Sequence, residues 1–209
     1  MIELYAITDH PGPPMPDVAP LRTVASRGLA AVCAPVGERE FSPDQLWHYE
    51  QVVEALMEDR DLLPLRFGTR LADEDAVARA LDERHQDLAL ALEGVRGAVE
   101  LSVRVVGGAS SPPGDAGGTG VDYLRTKKQS AAAQESVLRK LHEPLLGRLA
   151  RATAQKPPGT EHELMRAAYL VDRSAVESFV QAVARLQDAN PELRLLCTGP
   201  WPPYSFAER

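Results

Sequence analysis

The sequence predicts an α+β protein of two domains: a mixed α+β amino-terminal domain and a ferredoxin-like carboxy-terminal domain, ending in an extended tail rich in proline and aromatic residues. Three observations carry this prediction. Short β-rich runs alternate with well-capped amphipathic helices along the chain. From Val99 onward the order reads strand, helix, strand, strand, helix, strand, which is the split βαβ pattern. The final stretch, Gly199-Pro200-Trp201-Pro202-Pro203-Tyr204-Ser205-Phe206, holds three prolines that remove backbone donors, so it can neither continue a helix nor sit centrally in a sheet. It also holds one of only two tryptophans in a chain that is 5% aromatic. A freely solvated terminus is normally poor in such side chains. The tail is therefore expected to dock, on its own fold or on another chain.

Ile2 to Ile7 is a β-rich run that stops at a turn-forming segment, Thr8 to Pro20, with five prolines. Leu21 to Ala25 and Leu29 to Val36 flank Ser26-Arg27-Gly28, as in a hairpin. Ser42, Pro43 and Gln45 form a Ser-x-x-Gln capping box with proline at the first helical position. The helix they open runs to about Arg60, with Leu46, Tyr49, Val53, Leu56 and Met57 as its apolar stripe. Leu62 to Phe67 reads as a short buried strand. One further helix is expected from Glu74 to Leu92, capped by Asp73, striped by Val77, Leu81, Leu88 and Leu92, and ended by Gly94 and Gly97. Val99 to Val106 alternates as a strand does.

Gly107 to Gly120 holds six glycines and two prolines and reads as a flexible loop. A long helical segment follows to about Leu149, with a kink expected before Pro144. Ala150 to Lys156 and His162 to Val171 form a hairpin around Pro157-Pro158-Gly159. The last helix is predicted behind a Ser174-x-x-Glu177 capping box, with Val176, Phe179, Val180, Val183 and Leu186 on one face. Leu193 to Thr198 closes the fold. The boundaries expected are 1–97 for the first domain, 98–199 for the second and 200–209 for the tail.

The chain has 209 residues, 44% hydrophobic and 25% charged, and a formal charge of −7. That balance argues against non-specific nucleic-acid binding, which relies on neutralising phosphates with Lys and Arg. Cys33 and Cys197 are the only cysteines; each lies in an apolar run and reads as a reduced core thiol, with a single disulfide as the alternative. No apolar stretch is long enough to span a bilayer, and the first residues lack a signal-peptide pattern. A cytoplasmic protein with no membrane or nucleic-acid partner is expected.

Few residues invite a catalytic reading. Gly114 to Gly120 lies between a strand and a helix, where phosphate loops occur, yet no Lys-Ser or Lys-Thr follows it; Lys127 and Lys128 come too late. His10, His48, His85, His142 and His162 are scattered and form no metal-ligand spacing. Ser102, Ser130 and Ser174 lack a nucleophile-elbow context. Neither a catalytic group nor a cofactor or metal site is expected. Arg66 interrupts the apolar run Leu63-Pro64-Leu65-Arg66-Phe67-Gly68-Thr69: it is either a structural ion pair under a sheet or a polar anchor at a binding face. Arg125, Lys127 and Lys128 form a basic cluster, read as a solvated helix face or a docking patch for an acidic surface.

Four stretches together carry a resemblance: Leu63 to Thr69, Gly120-Val121-Asp122-Tyr123-Leu124-Arg125-Thr126-Lys127, Ala168-Tyr169-Leu170-Val171-Asp172, and Thr198 to Phe206. With Tyr5-Ala6-Ile7 and Trp47-His48-Tyr49-Glu50, in this order across the whole chain, they resemble the gas vesicle protein L/F family. The resemblance implies a non-enzymatic accessory or minor structural protein of gas vesicles, without cofactor, which acts in shell nucleation or assembly by binding the major shell protein and other gas vesicle proteins. It agrees with the two-domain reading. Arg66, Phe67, Trp201, Pro202, Tyr204 and Phe206 are the candidate interdomain or partner-binding residues, with an apolar groove shielding shell-protein surface as the physical hypothesis. The rival reading is a ferredoxin-like small-ligand-binding or small oxidoreductase module, which requires a polar pocket with convergent titratable groups.

Overall fold

Strand β1 (Ile2–Asp9) is almost wholly buried, and both of its edges are paired. The computed structural model describes residues 1–37, 42–107, 141, 148–157, 159–160 and 163–207. The expected glycine-rich loop, the Pro144 kink, most of the long helix, the Arg125–Lys128 cluster, His142 and His162 lie outside the described residues. By its internal contacts the chain divides into two compact units, Met1–Glu100 together with Trp201–Arg209, and Leu101–Pro200.

In the first unit, β2 (Arg22–Ser26) and β3 (Leu29–Pro35) form the expected hairpin. Its two-residue turn places Arg27 at φ 49° and Gly28 at φ 87°. This double left-handed geometry matches the twist of the flanking strands, and glycine adopts it without a Cβ penalty. The sheet order is β2-β3-β1-β4, where β4 is Leu62–Pro64, and a short β5 (Arg70–Leu71) also pairs with β1. Helix α1 (Pro43–Met57) starts as read: the Ser42 hydroxyl accepts from the Gln45 amide and the Gln45 side chain accepts from the Ser42 amide. Four of the five stripe residues are buried and one is not. Val52 joins Tyr49, Val53, Leu56 and Met57 in the core, while Leu46 is 43% exposed.

The single helix expected from Glu74 to Leu92 is two: α2 (Glu74–Glu83), capped by Asp73, and α3 (His85–Val95). Arg84, at φ −107° and ψ 14°, leaves the helical region between them. The break lies where the chain is tied to the hairpin turn: Ser26 Oγ bonds the Asp82 carboxylate, and a ring nitrogen of His85 is 3.0 Å from the Arg27 carbonyl. Each helix then buries its own pair, Val77 and Leu81 or Leu92 and Val95. Tertiary contacts override a continuous apolar stripe here.

Arg60 is a buried cation that sequence reasoning missed. Its guanidinium bonds Asp59 at 2.8 Å and the Pro14 carbonyl at 2.7 Å, fixing the proline-rich segment onto the unit.

The second unit contains the sheet β7-β8-β6-β9, formed by β6 (Ala98–Gly107), β7 (Ala152–Lys156), β8 (Glu163–Asp172) and β9 (Leu193–Trp201). β7 and β8 pair antiparallel, as expected for the hairpin. One face packs Leu101, Val103, Val105, Met165, Tyr169 and Val171 against Phe179 and Val183 of α4 (Val176–Ala189). The predicted Ser174 cap is absent. Arg173–Ala175 tighten into a 3₁₀ turn, so the helix begins at Val176 with no side-chain cap, and Glu177 instead accepts from Gln181. Val180, placed on the apolar stripe by spacing, is 44% exposed. β9 runs three residues beyond Thr198 and carries Pro200 on an edge strand, where a missing donor is tolerated.

Candidate interaction surface

The tail is not extended throughout. After Trp201, Pro202 and Pro203 are buried and Tyr204–Phe206 form a 3₁₀ turn that returns the chain onto the first unit. Phe206 is 6% exposed and is part of the core. The turn is held by two carboxylates. Glu100, buried near the start of β6, accepts from the Ser205 amide and from the Ser205 hydroxyl, each at 2.8 Å. Glu50, on α1, accepts from the Tyr204 hydroxyl at 3.2 Å. A carboxylate that receives two donors from one residue fixes both position and orientation, and bonds to charged acceptors are stronger than neutral ones.

The electrostatics of this anchor follow from burial. Desolvation raises the Glu50 carboxyl above its usual range, the Tyr204 hydroxyl bond opposes that rise, and Glu54 adds to it. Tyr204 is pushed far up by burial, by the charge of Glu50 and by its own bond to Glu50. It is a fixed donor at neutral pH.

Beneath the tail lies an aromatic cluster. Tyr5 and Tyr49 stack with centroids 4.8 Å apart, and Phe67 meets Tyr49 edge-on at 5.4 Å. The buried Tyr49 hydroxyl stands 3.0 Å from the Leu4 carbonyl, 3.3 Å from that of Tyr5 and 2.8 Å from that of Leu65. Its single proton joins α1 to β1 and to the loop after β4. Burial comes first among the causes that raise both phenols: Tyr5, also facing Glu3, to about 12, and Tyr49 further still.

Arg66 is exposed, and its carbonyl accepts from the Thr69 amide and hydroxyl. Nearby, Arg70 and Glu3 form a largely buried ion pair at 3.3 Å. Arg66 lies on a groove of about 560 Å³ lined also by Leu63, Leu65, Arg84, Leu88 and Ala207. A second, more apolar cavity of about 200 Å³ shares Leu65, Thr69, Arg84 and Leu88 and extends to Ile7, Val77 and Leu81.

The six candidates therefore separate. Phe67, Pro202, Tyr204 and Phe206 are built into the first unit. Arg66 and Trp201, the latter 41% exposed, face outward. Sequence reasoning did not single out Glu50, Glu100, Ser205 or Tyr49 as the residues that anchor the tail and the strands. A period-3.6 reading does place Tyr49 on the core face, but nothing local announces bonds to residues this distant. Trp47, 68% exposed on α1, was noted only as part of the resemblance.

Among the described residues no group of three or more His, Cys, Asp or Glu side chains could hold a metal ion. Both cysteines are free thiols, and burial raises each. No described helix is long and apolar enough to cross a membrane.

The family model for gas vesicle synthesis protein GvpL/GvpF matches residues 3–208. Gas vesicle protein L of Streptomyces sp. (strain CB03234) is 30% identical, with 91% of this chain and 75% of that protein covered. Gas vesicle protein F of the same strain is also 30% identical, over 90% of this chain and 88% of the relative, so identity does not separate the two types. In three dimensions the chain is similar to the crystal structure of GvpF from Anabaena sp. PCC7120, with a TM-score of 0.84 at 22% identity, covering 100% of this chain and 96% of that one. GvpF from Microcystis aeruginosa gives a TM-score of 0.81 at 20% identity, covering 100% and 99%. Mixed α+β architecture, two sheets and a match along nearly the full length agree, and the chain belongs to the gas vesicle protein L/F family.

Proposed function

We propose that this protein is a non-catalytic accessory or minor structural component of gas vesicle assembly. In this reading it works in the cytoplasm and at the vesicle, binding the major shell protein and other gas vesicle proteins. The observation that carries the reading is the family match over residues 3–208. The second unit is read as ferredoxin-like: its strand order β7-β8-β6-β9 supports the split βαβ pattern. The domain limits proposed remain 1–97 and 98–199, with 200–209 as the tail.

Arg66, Trp201 and the groove lined by Leu63, Leu65 and Leu88 are the outward-facing elements through which partner contact is proposed. A shell protein that must present apolar surface before polymerising would find there an apolar lining with arginines at its margin. Phe67, Pro202, Tyr204 and Phe206 hold that surface in shape from below.

The test is capture of the major shell protein by the full-length chain, by a chain ending at Gly199, and by Trp201→Ala, with thermal unfolding read in parallel. Retention by the full-length chain, with weaker retention by folded Trp201→Ala, is expected. If the full-length chain retains neither the shell protein nor any co-expressed gas vesicle protein, the proposal is wrong. Equal retention by all three forms would remove the tail from the interface.

A further inference from the structure

The formal charge of −7 is unevenly distributed. Residues 101–200 carry 13 Lys and Arg against 10 Asp and Glu, net +3, whereas the remainder carries 10 against 20, net −10. The basic excess has a place in the fold. Alternation sends Leu101, Val103, Val105, Met165, Tyr169 and Leu195 to the face packed on α4. The residues between them point to the other face, and there each of the four strands contributes one cation: Arg104 on β6, Lys156 on β7, Arg166 on β8 and Arg194 on β9.

Lys156 and Arg166 are direct cross-strand partners, so two like charges stand opposite each other. Like charges directly opposite each other are locally unfavourable. Arg104 is half exposed and pairs at 3.9 Å with the buried Glu163 carboxylate. Arg166 and Arg194 enter no ion pair among the described residues. Leu196, 46% exposed, and Val106, half-buried, lie among these cations on the same face.

We propose that this face of the second unit is a docking surface for an acidic, amphipathic segment of a partner protein. Cations supply orientation and encounter rate, and the interspersed aliphatic side chains supply burial. A protein occupant is favoured over nucleic acid because the described residues of the face include no aromatic side chain for base stacking: Tyr169 points to the opposite, core side. The proposal goes beyond the assembly reading above, since it names a different surface and the chemistry of what it binds.

The test uses the full-length protein and a fluorescein-labelled poly-glutamate peptide, followed by anisotropy at low and at physiological ionic strength. Wild type is expected to bind at low salt and to weaken as salt rises. Arg166→Glu/Arg194→Glu should weaken binding about tenfold or more. An equal reversal on exposed positions elsewhere in the unit, Arg148→Glu/Arg185→Glu, should change it by no more than about twofold. Equal loss in both double variants would show that net charge, not this face, is read, and would overturn the proposal. So would absence of wild-type binding at low salt, or tighter binding of a labelled oligothymidylate of equal charge. Should the double variant fail to fold by circular dichroism, Arg194→Ala on the edge strand takes its place, with the same direction of effect required. The shell-protein capture described above can fail while this experiment succeeds, and the reverse also holds.

Discussion

In the first unit the buried polar side chains Glu3, Tyr49 and Glu100 are tied by hydrogen bonds to groups far away in sequence. In the second, the described buried cluster is mainly apolar, and Gln187 of α4 bonds the backbone of Leu193 and Leu195, close by in sequence. Tyr49 reaches the Leu4 carbonyl 45 positions away, Glu3 meets Arg70 67 positions away, and Ser205 meets Glu100 105 positions away. In the second unit Leu101, Val103, Val105, Tyr169 and Phe179 share one buried cluster. Its two buried side-chain oxygens without hydrogen-bond partners among the described residues are Thr153 Oγ1 and Glu163 Oε1. Directional bonds select one arrangement of distant segments, whereas apolar packing tolerates local repacking as long as volume is kept.

Substitutions can break this comparison. The largest effect is expected for Phe179→Ala, which empties a fully buried ring position in the apolar cluster and should cost about 3–5 kcal/mol in denaturant unfolding. Phe179→Leu should recover much of that, and an equal loss for both would show that the second unit is as exacting as the first. Tyr49→Phe keeps the ring and removes one hydroxyl; a loss of about 1–3 kcal/mol is expected because buried carbonyls lose their donor. A neutral result there would erase the contrast. Ser205→Ala removes the hydroxyl bond to Glu100 but keeps the amide bond, so about 1 kcal/mol is expected, with faster amide exchange confined to the terminal turn.

The smallest effect is a pH dependence. The folded state raises the Glu50 carboxyl, so it holds that proton more tightly than the unfolded chain does. The associated stability is present below the ordinary carboxylate range and is lost as pH rises through the raised value. Glu50→Gln should therefore flatten the melting temperature between about pH 4 and pH 7 relative to wild type. A steeper profile in the variant would reverse the assigned sign.

This contrast also explains what the sequence made legible. The capping box at Ser42 and Gln45, the turn at Arg27-Gly28 and the alternating strand from Val99 are local patterns, and all three stand in the structure. The division of α2 from α3 at Arg84 was illegible because it depends on the hairpin turn more than 50 positions earlier. Ser174 misled because its spacing to Glu177 is correct for a cap while the chain tightens into a 3₁₀ turn instead. Of the candidate surface, the aromatic tail residues stood out by composition. Glu50 and Glu100, which hold them, look like any other glutamate until the fold brings them beside residues 204 and 205.

The first unit is assembled from two separated stretches of chain, with the whole second unit between them. During vectorial synthesis the ribosome releases residues 1–100 long before Ser205, so Glu100 waits without its two donors and the Phe206 site without its ring while the next hundred residues are made. The unit that begins first is thus the one that finishes last. Any protein that must engage the chain before it matures meets an acidic first unit that still lacks its last residues, while the strands of the second unit are already translated.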